Sequence, residues 1–158
     1  MDTGTLAETA PANSDDTLDL AGTWHLAECR TAYPGRKSRP TWGSSASGYL
    51  IYAPDGYMCQ NLTYPGSDGA VRTVSFCGSY EVIDGTVVHR IAGGADVRDV
   101  GTVRTAAAAL DSGILTLTYS PAPGGGPGSS REYVWRRARP IPGAGRSARG
   151  SIHRAQVR

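Results

Sequence analysis

From about residue 21 to residue 137, apolar and polar residues alternate along this chain, broken at short intervals by Gly, Asp, Ser and Pro. Period-two alternation puts successive side chains on opposite faces of a strand. The runs near 21–29, 48–53, 57–64, 71–83, 86–92, 100–109, 114–120 and 131–137 each predict a β-strand. Pro54-Asp55-Gly56 and Ser67-Asp68-Gly69 supply residues suited to tight reversals. Asp84-Gly85 is a two-residue hairpin signal between apolar runs. Asp111-Ser112-Gly113 closes another hairpin, and the Pro, Gly, Ser and Ala of 121–130 read as a flexible loop. Residues 30–47 form a long, basic, Trp-bearing connection with room for a lid or a short helix. Ala106–Leu110 has helical propensity, but the Thr and Val before it and the turn after it favour a strand.

The turns also predict register. A tip at Asp84-Gly85 sets Ile83 against Thr86, Val82 against Val87 and Tyr80 against His89. A tip centred on Asp68 sets Leu62 against Val74, Gln60 against Phe76 and Cys59 against Cys77. A turn centred on Asp55 sets Tyr52 against Met58 and Leu50 against Gln60. All three turns then agree on one apolar face, and a one-residue slip at any tip would destroy that agreement. Across the Asp111-Ser112-Gly113 turn, Tyr119 falls opposite Arg104 and Leu117 opposite Ala106, which points Arg104, Ala106 and Ala108 inward. In the first strand Trp24, Leu26 and Glu28 share a face, with Trp24 as a barrel floor and Glu28 above it.

Eight antiparallel strands with one apolar and one polar face close most simply into an all-β, up-and-down barrel. An open sandwich is the alternative, but it demands long crossovers that these short turns do not supply. The length of 158 residues fits one domain, and 21 Gly with 10 Pro fit a turn-rich β protein. The net charge of +2 is too small to argue for a nucleic-acid partner. It is also unevenly spread. Residues 1–19 carry Asp2, Glu8, Asp15, Asp16 and Asp19 and no base, and residues 138–158 carry Arg139, Arg146, Arg149, Arg154 and Arg158 and no acid. Both ends are expected to be disordered, flanking a barrel over 20–137. The basic tail is read first as solvated, with contact to RNA or an anionic surface as the competing interpretation.

No apolar run approaches the roughly 20 residues of a membrane span, so no membrane partner is expected. No signal peptide is visible, and a cytoplasmic protein is the expectation. Cys29, Cys59 and Cys77 lack metal-ligand spacing, no two His sit at metal spacing, and there is no phosphate-binding loop. No metal and no cofactor are expected. A lone barrel His ligating haem has no other haem signal beside it. Cys59 and Cys77 face each other on the outer wall, where a cross-strand disulfide is geometrically open. Free thiols are favoured for a reducing cytosol.

Several stretches resemble the bacterial and fungal lipocalin-like domain family. They are Gly22-Thr23-Trp24-His25-Leu26, Gly48-Tyr49-Leu50-Ile51-Tyr52-Ala53-Pro54-Asp55-Gly56-Tyr57-Met58, Gly78-Ser79-Tyr80-Glu81-Val82, Val87-Val88-His89, Gly101-Thr102-Val103-Arg104 and Val134-Trp135-Arg136. The resemblance runs in order over roughly residues 20–137 and implies a small calycin-type barrel. Several family members sit in natural-product pathways, where related barrels act as cyclases, isomerases or binding proteins. The long 30–47 connection and both tails depart from the short family pattern. One barrel hosts many functions, so the resemblance speaks to fold before reaction.

The inward polar set supplies the candidate chemistry. Tyr80 and His89 are expected cross-strand neighbours, either as a wall-tiling hydrogen bond or as a general acid–base whose position the tyrosine sets. Glu28 and Arg104 are expected to pair inside. They read as a structural ion pair, or as a proton-moving carboxyl of raised pKa beside an arginine that polarises a carbonyl. Trp24, Leu26, Leu50, Tyr52, Met58, Gln60, Phe76, Tyr119 and Tyr133 line the expected pocket, and Trp42 either caps its mouth or anchors the loop. The first functional reading is a cofactor-free cyclase or isomerase that tailors a polyketide- or terpenoid-like intermediate of secondary metabolism. The second is a non-catalytic carrier of a hydrophobic, oxygenated small molecule. The third is an interaction module acting through the basic tail. The Thr-, Ser- and Tyr-rich outer face permits a homodimer.

Overall fold

A computed structural model describes residues 18–145. The strands are β1 (Gly22–Ala32), β2 (Arg39–Pro40), β3 (Ser47–Tyr52), β4 (Tyr57–Pro65), β5 (Val71–Ile83), β6 (Thr86–Gly94), β7 (Val103–Asp111), β8 (Ile114–Tyr119) and β9 (Ser130–Arg137). The short β2 pairs only with the end of β1. The other eight strands run in sequence order, and β1 pairs with both β3 and β9. The eight long strands therefore form a closed, antiparallel barrel, as the alternation predicts. Most of the sequence expected to form the leader and the tail lies outside the described residues, at 1–17 and 146–158.

Three hairpins adopt the expected register. Tyr80 faces His89, Gln60 faces Phe76, Cys59 faces Cys77 and Tyr52 faces Met58. Asp84 and Gly85 both take positive φ (48° and 70°), the paired left-handed geometry of a two-residue hairpin turn. The β7–β8 hairpin differs from expectation. Its tip is Ser112-Gly113 alone, with φ of 49° and 78°, so Asp111 pairs with Ile114 and Leu117 faces Ala108 instead of Ala106. The pairing slides by an even step, so Arg104, Ala106 and Ala108 still point inward.

The closed end holds the tight turns and the floor. Trp24 is fully buried, donates its indole N–H to the Leu20 carbonyl at 2.9 Å, and lies 4.2 Å beneath the Arg137 guanidinium. Above it Leu50, Tyr52, Leu62, Phe76, Val87, Leu115, Leu117 and Trp135 fill the barrel. Gly48 and Gly78 sit where a Cβ would collide with the neighbouring strand's backbone, so both close approaches require glycine. The connection 33–46 contains one turn of 3-10 helix at Gly43–Ser45.

Candidate functional site

The longer connections all gather at the end opposite Trp24. Trp42 comes from the β1–β3 connection, Val97 and Asp99 from the β6–β7 loop, and Pro123 from the β8–β9 loop. Together with Tyr64, Val74 and Tyr133 from strand ends they enclose an open cavity of about 710 Å³. That volume lies within the usual range for small-molecule sites, roughly 300–1,000 Å³. Trp42 stacks on Tyr64 at a centroid distance of 4.3 Å and leans on Tyr133 at 5.9 Å, so aromatic faces dominate one wall.

The other wall is charged. Asp96 caps the 3-10 turn Val97–Asp99 through the Arg98 backbone N–H, and the Arg98 guanidinium grips the same carboxylate at 2.6 Å. These hydrogen bonds hold the Asp96 carboxyl down to about 2. Deeper, Arg104 pairs with Asp99 at 2.7 Å and lies over the Phe76 ring, 4.8 Å from its centroid. Arg131 donates from Nε to the Thr31 hydroxyl at 3.2 Å and sits 5.9 Å from the Trp42 ring.

Beneath the cavity lies a sealed polar layer. His89, fully buried, places Nε2 2.6 Å from the Tyr52 hydroxyl and Nδ1 3.4 Å from the Tyr119 hydroxyl. Burial, helped by the Arg104 charge, lowers the His89 pKa from 6.5 to about 4, so the ring is neutral near pH 7. Burial also pushes the Tyr52 and Tyr119 phenols well up and Tyr133 up to about 12, so all three keep their protons. Gln60 is buried beside Phe76, and the Trp135 indole N–H is buried without a hydrogen-bond partner among the described residues.

The structure corrects several expected placements. Glu28 does not sit inside. A β-bulge between Leu26 and Glu28 inserts one residue into β1, which reverses the facing of everything after it. Glu28 turns outward and pairs with Arg30 at 2.6 Å, while Cys29 and Thr31 turn in. The Glu28–Arg104 pair therefore does not form, and Asp99 is the arginine's partner. Tyr80 lies opposite His89 in the backbone ladder, but its hydroxyl donates to the Ala53 carbonyl at 3.0 Å. Tyr52, on β3 and three strands away from the β6 residue His89, reaches the imidazole across the barrel instead. Cys59 and Cys77 form a disulfide rather than two free thiols, and Cys29 is the buried free cysteine.

Of the expected pocket residues, Trp42 and Tyr133 line the cavity together with Arg104. Trp24, Leu50, Tyr52, Met58, Gln60, Phe76 and Tyr119 are buried in the barrel's packed interior, and Leu26 packs against them half-buried. Sequence reasoning missed Arg131, Tyr64, Asp96 and Asp99. Arg131 was accessible from the alternation Arg131-x-Tyr133-x-Trp135, which places it on the inner face; the aspartates lie in a loop with no periodicity. Among the described residues no three His, Cys, Asp or Glu side chains gather as a metal site, and no helix is long and apolar enough to cross a membrane.

A barrel closed at one end and open over an aromatic cavity is a fold suited to small-molecule binding. Residues 21–73 match the lipocalin-like domain family, a span that holds both Gly22-Thr23-Trp24 and the Gly48–Met58 stretch. The chain is similar to a lipocalin-like protein from Bacteroides uniformis, with 18% identity and a TM-score of 0.46 over 76% of this chain and 99% of that one. It is also similar to an uncharacterized protein from Bacteroides eggerthii, with 17% identity and a TM-score of 0.44 over 76% of this chain and all of the other. A de novo designed fluorescence-activating β-barrel shares 19% identity with a TM-score of 0.40, over 75% of this chain and 93% of the design. No curated protein matches the chain.

Proposed function

We propose that the protein binds a small, hydrophobic, oxygenated molecule in the cavity at the open end of its barrel. The observation that carries this reading is the cavity itself: about 710 Å³, walled by Trp42, Tyr64 and Tyr133 above a filled interior. Flat aromatic walls hold flat apolar ligands, and the phenol and guanidinium groups orient their oxygen atoms.

A cyclase or isomerase acting on a polyketide- or terpenoid-like intermediate has less support. Its carboxyl candidate, Glu28, faces solvent beside Arg30. Its imidazole candidate, His89, is fully buried below the cavity with both ring nitrogens engaged by tyrosines. Binding without turnover needs neither group. The Cys59–Cys77 disulfide favours an oxidising compartment over the cytoplasm expected from sequence.

The test is an NMR titration with 2-naphthol, a neutral, flat, oxygenated probe. Saturable shifts centred on the Trp42 indole, Tyr64 and Tyr133, weakened several-fold in Trp42→Ala, support the reading. Shifts centred on the outer wall, or none, overturn it.

A further inference from the structure

The charges around the cavity do not balance. Arg98 is matched by Asp96 at 2.6 Å and Arg104 by Asp99 at 2.7 Å. Arg131 is the remaining cavity cation, and none of the ion pairs among the described residues includes it. Glu132, next in sequence, belongs to the opposite face of β9 and cannot serve it from there.

The geometry holds this guanidinium ready. Its Nε donates to Thr31 Oγ1, which lies 2.7 Å from Thr41 Oγ1. Thr31 is buried, so the anchor is fixed from behind. No carboxylate pairs with Arg131 among the described residues; its guanidinium lies beside the Tyr133 phenol, and Arg131, Trp42 and Tyr133 line the same cavity. With Nε held by Thr31, the end-on edge formed by the two terminal amino groups is the fork that matches a planar carboxylate.

Resting on the proposed binding function, we infer that the ligand is a monoanion: a carboxylate on a flat apolar body, with its charge on Arg131 and its body against Trp42 and Tyr133. One unmatched positive charge suits a singly charged group. A phosphate dianion would need a second free cation, and Asp96 and Asp99 have already claimed the other two. Tyr133, its phenol pKa raised to about 12 by burial, stays a neutral donor beside the carboxylate.

The test compares 2-naphthoate with its neutral counterpart 2-naphthamide by calorimetry on the full chain. Naphthoate is expected to bind at least about tenfold more tightly, the scale of one charge-assisted fork. That preference should shrink as salt is raised. Arg131→Gln should bring naphthoate down to the naphthamide affinity. Arg90→Gln, at an outer-wall cation paired with Glu81 and away from the cavity, should leave the preference intact. Should Arg131→Gln fail to fold, Arg131→Lys carries the test: it keeps the charge but loses the fork, and the preference should fall several-fold. Equal affinities for the two probes, or a preference undiminished in whichever variant folds, overturn the inference. If that happens while 2-naphthol still binds at Trp42, the binding function survives alone; if none of the three probes binds, both fall.

Discussion

The Tyr52 hydroxyl lies 2.6 Å from His89 Nε2 across the filled interior of the barrel. This contact decides how the interior is protonated. With the phenol pKa raised by burial and the imidazole lowered to about 4, Tyr52 donates and Nε2 accepts. The ring proton then sits on Nδ1, directed at the Tyr119 oxygen 3.4 Å away. Tyr52→Phe removes the donor and leaves a buried acceptor. Chemical denaturation should show a loss of about 1–2 kcal/mol. An unchanged midpoint would mean that the contact contributes nothing.

His89 also makes stability depend on pH. Its folded pKa of about 4 lies below the unfolded 6.5, so between these values the unfolded chain binds a proton that the folded chain refuses. Stability is complete above pH 6.5, falls as pH drops towards 4 and levels off below, by on the order of 3 kcal/mol from this group. His89→Phe should flatten that part of the profile. A variant whose stability falls over the same window as the parent protein would assign the dependence elsewhere.

Much of this was legible in the sequence because the information was local. Asp84-Gly85 and Pro54-Asp55-Gly56 fixed whole hairpins, and with them the inward facing of His89, Gln60 and Phe76. Glu28 was misplaced because a bulge adds a residue without leaving a turn-like signature, and one residue inverts a face. Tyr52–His89 was missed because it spans the barrel lumen, a distance that strand-pair reasoning does not cross. Asp99 was missed because the loop before β7 acquires meaning only once Arg104 stands beside it.

The exposed position of Glu28 has a direct consequence. Its pair with Arg30 is largely in solvent, where such contacts contribute roughly 0–1 kcal/mol. Glu28→Gln should leave probe binding at the cavity unchanged within error and shift the denaturation midpoint little. A large loss of affinity for 2-naphthol or 2-naphthoate would mean that the bulge repositions in solution and returns Glu28 to the interior.

The Cys59–Cys77 bridge joins β4 to β5 across a sequence separation of 18 residues. Closing a loop of that size stabilises by about 3 kcal/mol through the unfolded chain. Reductant should lower the melting temperature of the parent protein and have no effect on Cys59→Ser/Cys77→Ser. Cys29, buried behind Thr41 with its thiol pKa raised by burial, should resist alkylation until the barrel unfolds. Alkylation of two thiols in the folded, unreduced protein would contradict the bridge.

The barrel floor rests on a glycine that makes room for an arginine. Gly22 has a φ of +133°, and a Cβ there would lie 2.9 Å from Arg137 Nη1. That guanidinium donates to the Ala21 carbonyl at 2.8 Å and the Asp19 carbonyl at 3.1 Å while covering the Trp24 ring. Gly22→Ala therefore strains the backbone and crowds the group that seals the floor. The expected loss is about 1–3 kcal/mol by denaturant titration. In an Arg137→Met background the crowding is relieved and only the backbone strain remains, so the same substitution should cost less. Equal losses in both backgrounds would show that the glycine is required for its φ alone, and that Arg137 closes over Trp24 without depending on the space beside it.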